Sequence, residues 1–134
     1  MKRKKILLAE DDADDRAFFC EFLSARQDII ILPVAENGED LLEYLHGIPD
    51  NAELPDVIIL DQNMPKLNGL QTLQALKSSS RFVHIITIVY STYPDDNLLK
   101  KSKDLGAALV MAKPSTPGEY NEIIDALFRM SQKE

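Results

Sequence analysis

With 134 residues, 45% of them apolar, the chain has the size of one ordinary domain and can bury a core without disulfides or a structural metal. A formal net charge of −7 argues against a nucleic-acid surface, which would show a clustered excess of Lys and Arg. Cys20 is the only cysteine, which excludes an intrachain disulfide and a thiolate zinc cluster and fits a reducing compartment, the cytoplasm.

The chain opens on a basic stretch, Met1 to Lys5, expected to be a solvated tail. The apolar run that follows, Ile6–Ala9, is too short for a signal-peptide core and meets three acids at once. No apolar run approaches the roughly 18 residues of a membrane span, so a soluble protein is expected. Ile6–Ala9 is the first of five apolar runs, the others being Ile29–Ala35, Val57–Leu60, Ile85–Tyr90 and Ala107–Ala112. They are mostly continuous and rich in Ile and Val, which predicts strands buried on both faces.

Between the runs lie stretches with helical spacing: Phe18, Phe19, Phe22 and Leu23; Leu41, Leu42 and Leu45; Leu70, Leu73 and Leu76; Leu98, Leu99 and Leu105; and Tyr120, Ile123, Ile124, Leu127 and Phe128. Alternation of strand and helix predicts an α/β fold, a doubly wound parallel sheet with helices on both faces. Pro33 lies inside the second run and cannot donate to a ladder, so that strand belongs at an edge. An edge second strand agrees with a five-stranded flavodoxin-like sheet of order 2-1-3-4-5. The longest irregular stretch, His46–Pro55, is expected to be an exposed loop.

In such a sheet, ligands bind beyond the carboxyl ends of the strands. The residues expected there are Glu10, Asp11 and Asp12, then Asp61, then Ser91 and Thr92, then Lys113. Crowded carboxylates repel, and a bound hard cation such as Mg²⁺ relieves them. Asp11 and Asp61 are the expected direct ligands, with Glu10 acting through water and the Asn63 backbone carbonyl adding an oxygen. Asp12 begins the first helix and points elsewhere. Lys113 and Ser91 add an ammonium and a hydroxyl, which a phosphoryl group would use and a metal alone would not need. A carboxylate such as Asp61 can act as nucleophile toward phosphorus.

Residues Ile6 to Asp12, Val57 to Pro65 with Leu67-Asn68-Gly69, Val89 to Thr92, and Lys113-Pro114 together resemble response-regulator receiver domains of the chemotaxis-regulator, single-domain type, over nearly the whole chain. The separations of 30 positions from Asp61 to Ser91 and 22 more to Lys113 are those expected of that family. The resemblance implies phosphotransfer from a sensor histidine kinase to Asp61, with Mg²⁺ held by Asp11, Asp61 and the Asn63 carbonyl. Ser91, Thr92 and Lys113 would serve as phosphoryl-binding and switch residues. It also implies a cis peptide between Lys113 and Pro114, and a protein-docking face on the fourth helix, fifth strand and fifth helix. One departure is Val110, where many receivers carry a switch aromatic. The loop before the third strand resembles that of small regulators of the cyanobacterial phytochrome-partner type.

Other readings of these residues are blander or lead elsewhere. Taken alone, Glu10-Asp11-Asp12 could simply complement a helix dipole, and Asp14 and Asp15 are read that way. Asp95 and Asp96 read as a helix start after Pro94, and His46 and His84 as structural or solvated. Cys20 reads as a small buried side chain. Tyr93 is either a plain loop residue or one that tunes phosphoryl lifetime. A phosphatase working through an aspartyl-phosphate would want an acid two residues after Asp61, where Asn63 stands. A constitutive adaptor is favoured only by Val110. The expectation is therefore a single receiver domain over 1–134 without an effector domain. It would be no enzyme beyond its own phosphorylation and dephosphorylation, would signal to a downstream protein or relay its phosphoryl group to a phosphotransfer protein, and would be a monomer or a phosphorylation-dependent dimer.

Overall fold

In the computed structural model, which describes residues 3–131, the five apolar runs form one parallel sheet of order 2-1-3-4-5. The strands are β1 (Lys4–Ala9), β2 (Ile29–Ile31), β3 (Val57–Asp61), β4 (Ile86–Ser91) and β5 (Leu109–Ala112). They alternate with α1 (Ala13–Leu23), α2 (Gly38–His46), α3 (Gly69–Lys77), α4 (Asp96–Leu105) and α5 (Pro117–Ser131). Each strand pair is joined by a helical crossover, the connection parallel strands require.

The alternating strand residues feed two cores. Leu7, Ala9, Ile58, Leu60 and Val89 meet Leu41, Leu45, Leu73, Leu76 and Leu98 from α2, α3 and α4. Ile6, Leu8, Val57, Ile59, Ile88 and Tyr90 meet Phe19, Leu23, Tyr120, Ile124 and Leu127 from α1 and α5. A sheet covered on both faces needs apolar side chains at every position, which is why the runs are continuous.

Three expectations change. The second strand stops at Ile31, short of Ala35, because Pro33 has no N–H; pairing to β1 resumes only where Ala35 donates to the Leu8 carbonyl at 2.9 Å. The basic opening is not all tail: Lys4 and Lys5 start β1, and the Lys5 ammonium donates to the Ala52 carbonyl at 3.0 Å. Met1 and Lys2 lie outside the described residues. The loop 46–55 is exposed over most of its length but contains a 3₁₀ turn, Asn51–Glu53, and buries Pro55. Arg81 fastens this loop, its Nε donating to Asn51 Oδ1 at 2.6 Å and its Nη2 to the Ile48 carbonyl.

α2, α3 and α4 start on side-chain caps at the carboxyl ends of the strands. Asn37 accepts from the Asp40 N–H at 2.8 Å, Asn68 and Gln71 form a capping box, and Asp95 accepts from the Leu98 N–H at 2.8 Å. α4 ends on Gly106, whose φ of 102° is the left-handed turn that glycine makes without strain.

Candidate functional site

β1 and β3 are neighbours, with Ala9 opposite Leu60, so the residues just after them, Glu10 and Asp11, and the last residue of β3, Asp61, come together. Carboxylate oxygens of Glu10, Asp11 and Asp61 all lie within 4.8 Å of one another. Glu10 and Asp61 are buried, at 0% and 1% exposure, while Asp11 faces solvent. Three carboxylates this close, two of them dry, are costly without a cation.

Part of that charge meets Lys113, which follows β5. Its ammonium sits 2.9 Å from Asp15 Oδ2, 3.1 Å from Glu10 Oε1 and 3.4 Å from Asp61 Oδ2. Burial alone would lower the Lys113 pKa, but hydrogen bonds to Asp15 and Glu10 and the charges of Glu10 and Asp61 hold it above the ordinary lysine value. Asp61 is pushed up to about 8, first by burial and then by a hydrogen bond to Glu10 and that residue's charge, against the pull of Lys113 and the Asn63 N–H.

Glu10 is held from three sides. Tyr90 donates its phenol to Oε1 at 2.6 Å, the Asp12 N–H donates to Oε2 at 3.1 Å, and Lys113 adds its contact. Burial, followed by the Glu10 charge, raises the Tyr90 pKa, so the phenol stays a donor. Arg16 donates to the backbone carbonyls of Glu10 and Asp11 at 3.0 and 2.9 Å, holding the turn between β1 and α1.

Ser91 ends β4 beside this cluster: Lys113 N–H donates to its carbonyl at 2.9 Å, and Gln62 N–H donates to the Tyr90 carbonyl at 3.0 Å. A cavity of about 250 Å³ opens between the β3–α3 and β4–α4 loops, lined by Gln62, Asn63, Ser91, Thr92 and Tyr93 among others. Ser91 is buried, whereas Thr92 and Tyr93 are exposed. The backbone beyond Asp61 turns sharply, with Lys66 at φ 65°. Gly69 then returns so close that a Cβ there would lie 2.9 Å from the Asp61 carbonyl.

Residues 6–125 match the response regulator receiver domain family. This chain belongs to that family. It is 32% identical over 131 residues to a protein-glutamate methylesterase/protein-glutamine glutaminase of Clostridium acetobutylicum, covering 96% of this chain and 36% of that one. The chain thus spans about a third of the length of the curated relatives it matches. Among solved structures it is similar to the phosphorylated cyanobacterial phytochrome response regulator RcpA, with 25% identity, a TM-score of 0.80, and coverage of 98% and 95% of the two chains. It is also similar to the Mn²⁺-bound response regulator Rcp1, with 26% identity, a TM-score of 0.74, and coverage of 96% and 89%. The Glu10, Asp11 and Asp61 cluster of this receiver resembles the family's phosphoacceptor and Mg²⁺ site.

Glu10, Asp11, Asp61 and Lys113 are brought together as the sequence predicts. Asp12 is exposed and stands at the start of α1, as expected, without a side-chain capping hydrogen bond. Asp15 is a correction: read from sequence as mere dipole complement, it makes the shortest contact to Lys113. Tyr90 was missed as a site residue, although a phenol in a buried strand must find a partner. The Lys113–Pro114 peptide is trans, not cis. X–Pro bonds favour trans by about 0.5–1 kcal/mol, and from that isomer Lys113 already reaches all three carboxylates. Val110 is half-buried in β5 opposite Val89, packed against the α2–α4 core. His46 and His84 are exposed, and His46 lies edge-on to Phe82.

Proposed function

We propose that Asp61 accepts a phosphoryl group from the phosphohistidine of a sensor histidine kinase. The carrying observation is the placement of its buried carboxylate, with Glu10 and Asp11 oxygens within 4.8 Å and the Lys113 ammonium 3.4 Å away. An Asp61 oxygen attacks phosphorus as the phosphorus–nitrogen bond breaks and the imidazole leaves with the electron pair. Lys113 and the Ser91 hydroxyl bind phosphoryl oxygens, and Thr92 lies at the rim of the adjoining cavity.

The donor set fits a hard divalent cation, because the three clustered side chains offer oxygen alone. Asp11, Asp61 and the Asn63 carbonyl would hold Mg²⁺, with Glu10 reaching it through water. When bound, the ion supplies positive charge that lets an anionic donor approach an anionic nucleophile. RcpA occurs in a phosphorylated form and Rcp1 in a Mn²⁺-bound form, which supports this reading.

Phosphorylation would bias the face of α4, β5 and α5 toward a downstream protein, in the cytoplasm, with chemistry limited to gain and loss of the receiver's own phosphoryl group. Intact-mass analysis with acetyl phosphate tests the acceptor. The expected result is one phosphoryl group gained by wild type only with Mg²⁺, and none by Asp61→Ala; labelling of Asp61→Ala at the wild-type level would sink the assignment.

A further inference from the structure

An ammonium carries three N–H donors, and those of Lys113 face three carboxylates. Two of these, Glu10 and Asp61, belong to the crowded cluster at the strand ends. The third, Asp15, comes from the first turns of α1 and makes the shortest contact, at 2.9 Å. We propose that Asp15 is a positioning residue, a latch that occupies one N–H of Lys113 until the incoming anion displaces it. This rests on the reading of Asp61 as acceptor.

The three carboxylates differ in what releasing Lys113 costs them. Glu10 is fully buried, and losing the ammonium would leave a dry charge with only the Tyr90 phenol and a backbone N–H against it. The donor that faces Asp61 moves onto the phosphoryl group as that group joins the same carboxylate. Asp15 has 33% of its side chain exposed, so water can take the place of Lys113 there. The donor freed for a second phosphoryl oxygen is therefore the one now on Asp15. A purely structural Asp15 would tie α1 to the segment after β5 without affecting phosphotransfer.

The test uses the full chain at saturating Mg²⁺, following phosphorylation by intact mass over a range of acetyl phosphate concentrations. In that reaction an Asp61 oxygen–phosphorus bond forms, the phosphorus–oxygen bond to the acetyl group breaks, and acetate leaves with the electron pair. Asp15→Asn should raise the second-order rate constant about fivefold, the factor expected for a partly exposed ion pair. Asp15→Glu should return it toward wild type. Asp14→Asn, an exposed acid on the same helix, should leave it unchanged. An unchanged or slower Asp15→Asn protein overturns the latch, as does an equal gain in Asp14→Asn, which would reduce the effect to general charge.

Calorimetric titration with Mg²⁺ separates the two readings. Without Asp15, Lys113 turns fully onto Glu10 and Asp61, so Mg²⁺ should bind Asp15→Asn about threefold more weakly, a fraction of one ion pair's worth. A wild type that binds Mg²⁺ but takes up no phosphoryl group refutes Asp61 as acceptor. The latch is then decided by this titration alone, and equal affinities in Asp15→Asn and wild type overturn it.

Discussion

Replacing Asp61 with asparagine removes a buried charge while keeping the shape of the side chain. Two like charges, on Glu10 and Asp11, lie within 4.8 Å of it, and one opposite charge, on Lys113, lies 3.4 Å away. At an effective dielectric of about 20, each repulsion costs about 3.5 kcal/mol and the attraction returns about 5 kcal/mol. The net cost is about 2 kcal/mol, so the metal-free asparagine protein should be the more stable one by that amount, with a melting temperature roughly 8 °C higher. The sign follows from the pKa as well. A carboxyl raised from 3.8 to about 8 binds more protons in the folded than in the unfolded state. Its favourable contribution is complete below pH 4 and is lost as pH rises through 8. The gap between Asp61→Asn and wild type should therefore open between pH 4 and 8. Urea unfolding in EDTA at pH 5 and pH 8.5 measures it. Added Mg²⁺ should narrow the gap by stabilising wild type through mass action. An asparagine protein less stable than wild type at pH 8.5 in EDTA, or a gap that ignores pH, would refute the charge-crowding argument.

Three further outcomes follow from contacts around the site. Tyr90→Phe leaves Glu10 Oε1 without its 2.6 Å donor while the ring still packs, and should cost about 1–2 kcal/mol by urea midpoint; an unchanged midpoint would show that Lys113 suffices alone. Gly38→Ala places a Cβ 1.8 Å from Thr72 Oγ1 and 2.9 Å from the Leu67 carbonyl. It should destabilise by about 1–3 kcal/mol, and adding Thr72→Ala should recover only part, because the carbonyl is backbone. Asp28 is held below the ordinary carboxylate range, first by its hydrogen bond to Arg26, so its contribution is present above about pH 4 and disappears as pH falls further. Asp28→Asn should lower stability by a constant amount from pH 5 to 7, and the difference from wild type should shrink as pH falls below the ordinary carboxylate range. A difference that persists unchanged at pH 2.5 would mean the pair is not what the substitution removed.

The topology was legible because it rests on local pattern. Continuous runs such as Ile6–Ala9 and Val57–Leu60 can only be satisfied between two helical layers, and Pro33 sends its strand to an edge. What pattern could not supply was where β2 ends: Leu32 still donates to the Ile6 carbonyl, and the ladder lapses only at the proline. The Ile29–Ala35 run is apolar throughout, so hydrophobicity alone carries no mark of that break. Chemistry-bearing residues at strand ends, Glu10, Asp11, Asp61 and Lys113, were legible for a related reason: a parallel sheet delivers every strand's carboxyl end to one rim.

Asp15 and Tyr90 escaped that logic, and the reason is geometric. Neither sits at a strand end: Asp15 projects from α1, and Tyr90 lies one residue inside β4. Their partners are 98 and 80 positions away in sequence, so only the packing of α1 and β4 around the rim creates the contacts. A dipole-complementing acid and a core aromatic are the ordinary fates of such residues, and sequence offers no sign that these two have others. Yet they bound the site on two sides. Tyr90 gives Glu10 a donor that burial keeps protonated, but one phenol does not replace an ammonium at a fully buried carboxylate, so Glu10 cannot readily give up Lys113. Asp15 holds the same ammonium from the solvent side, where water can replace it. The fixed and the releasable contacts thus meet on one nitrogen, an asymmetry that lets an arriving anion choose which bond to break.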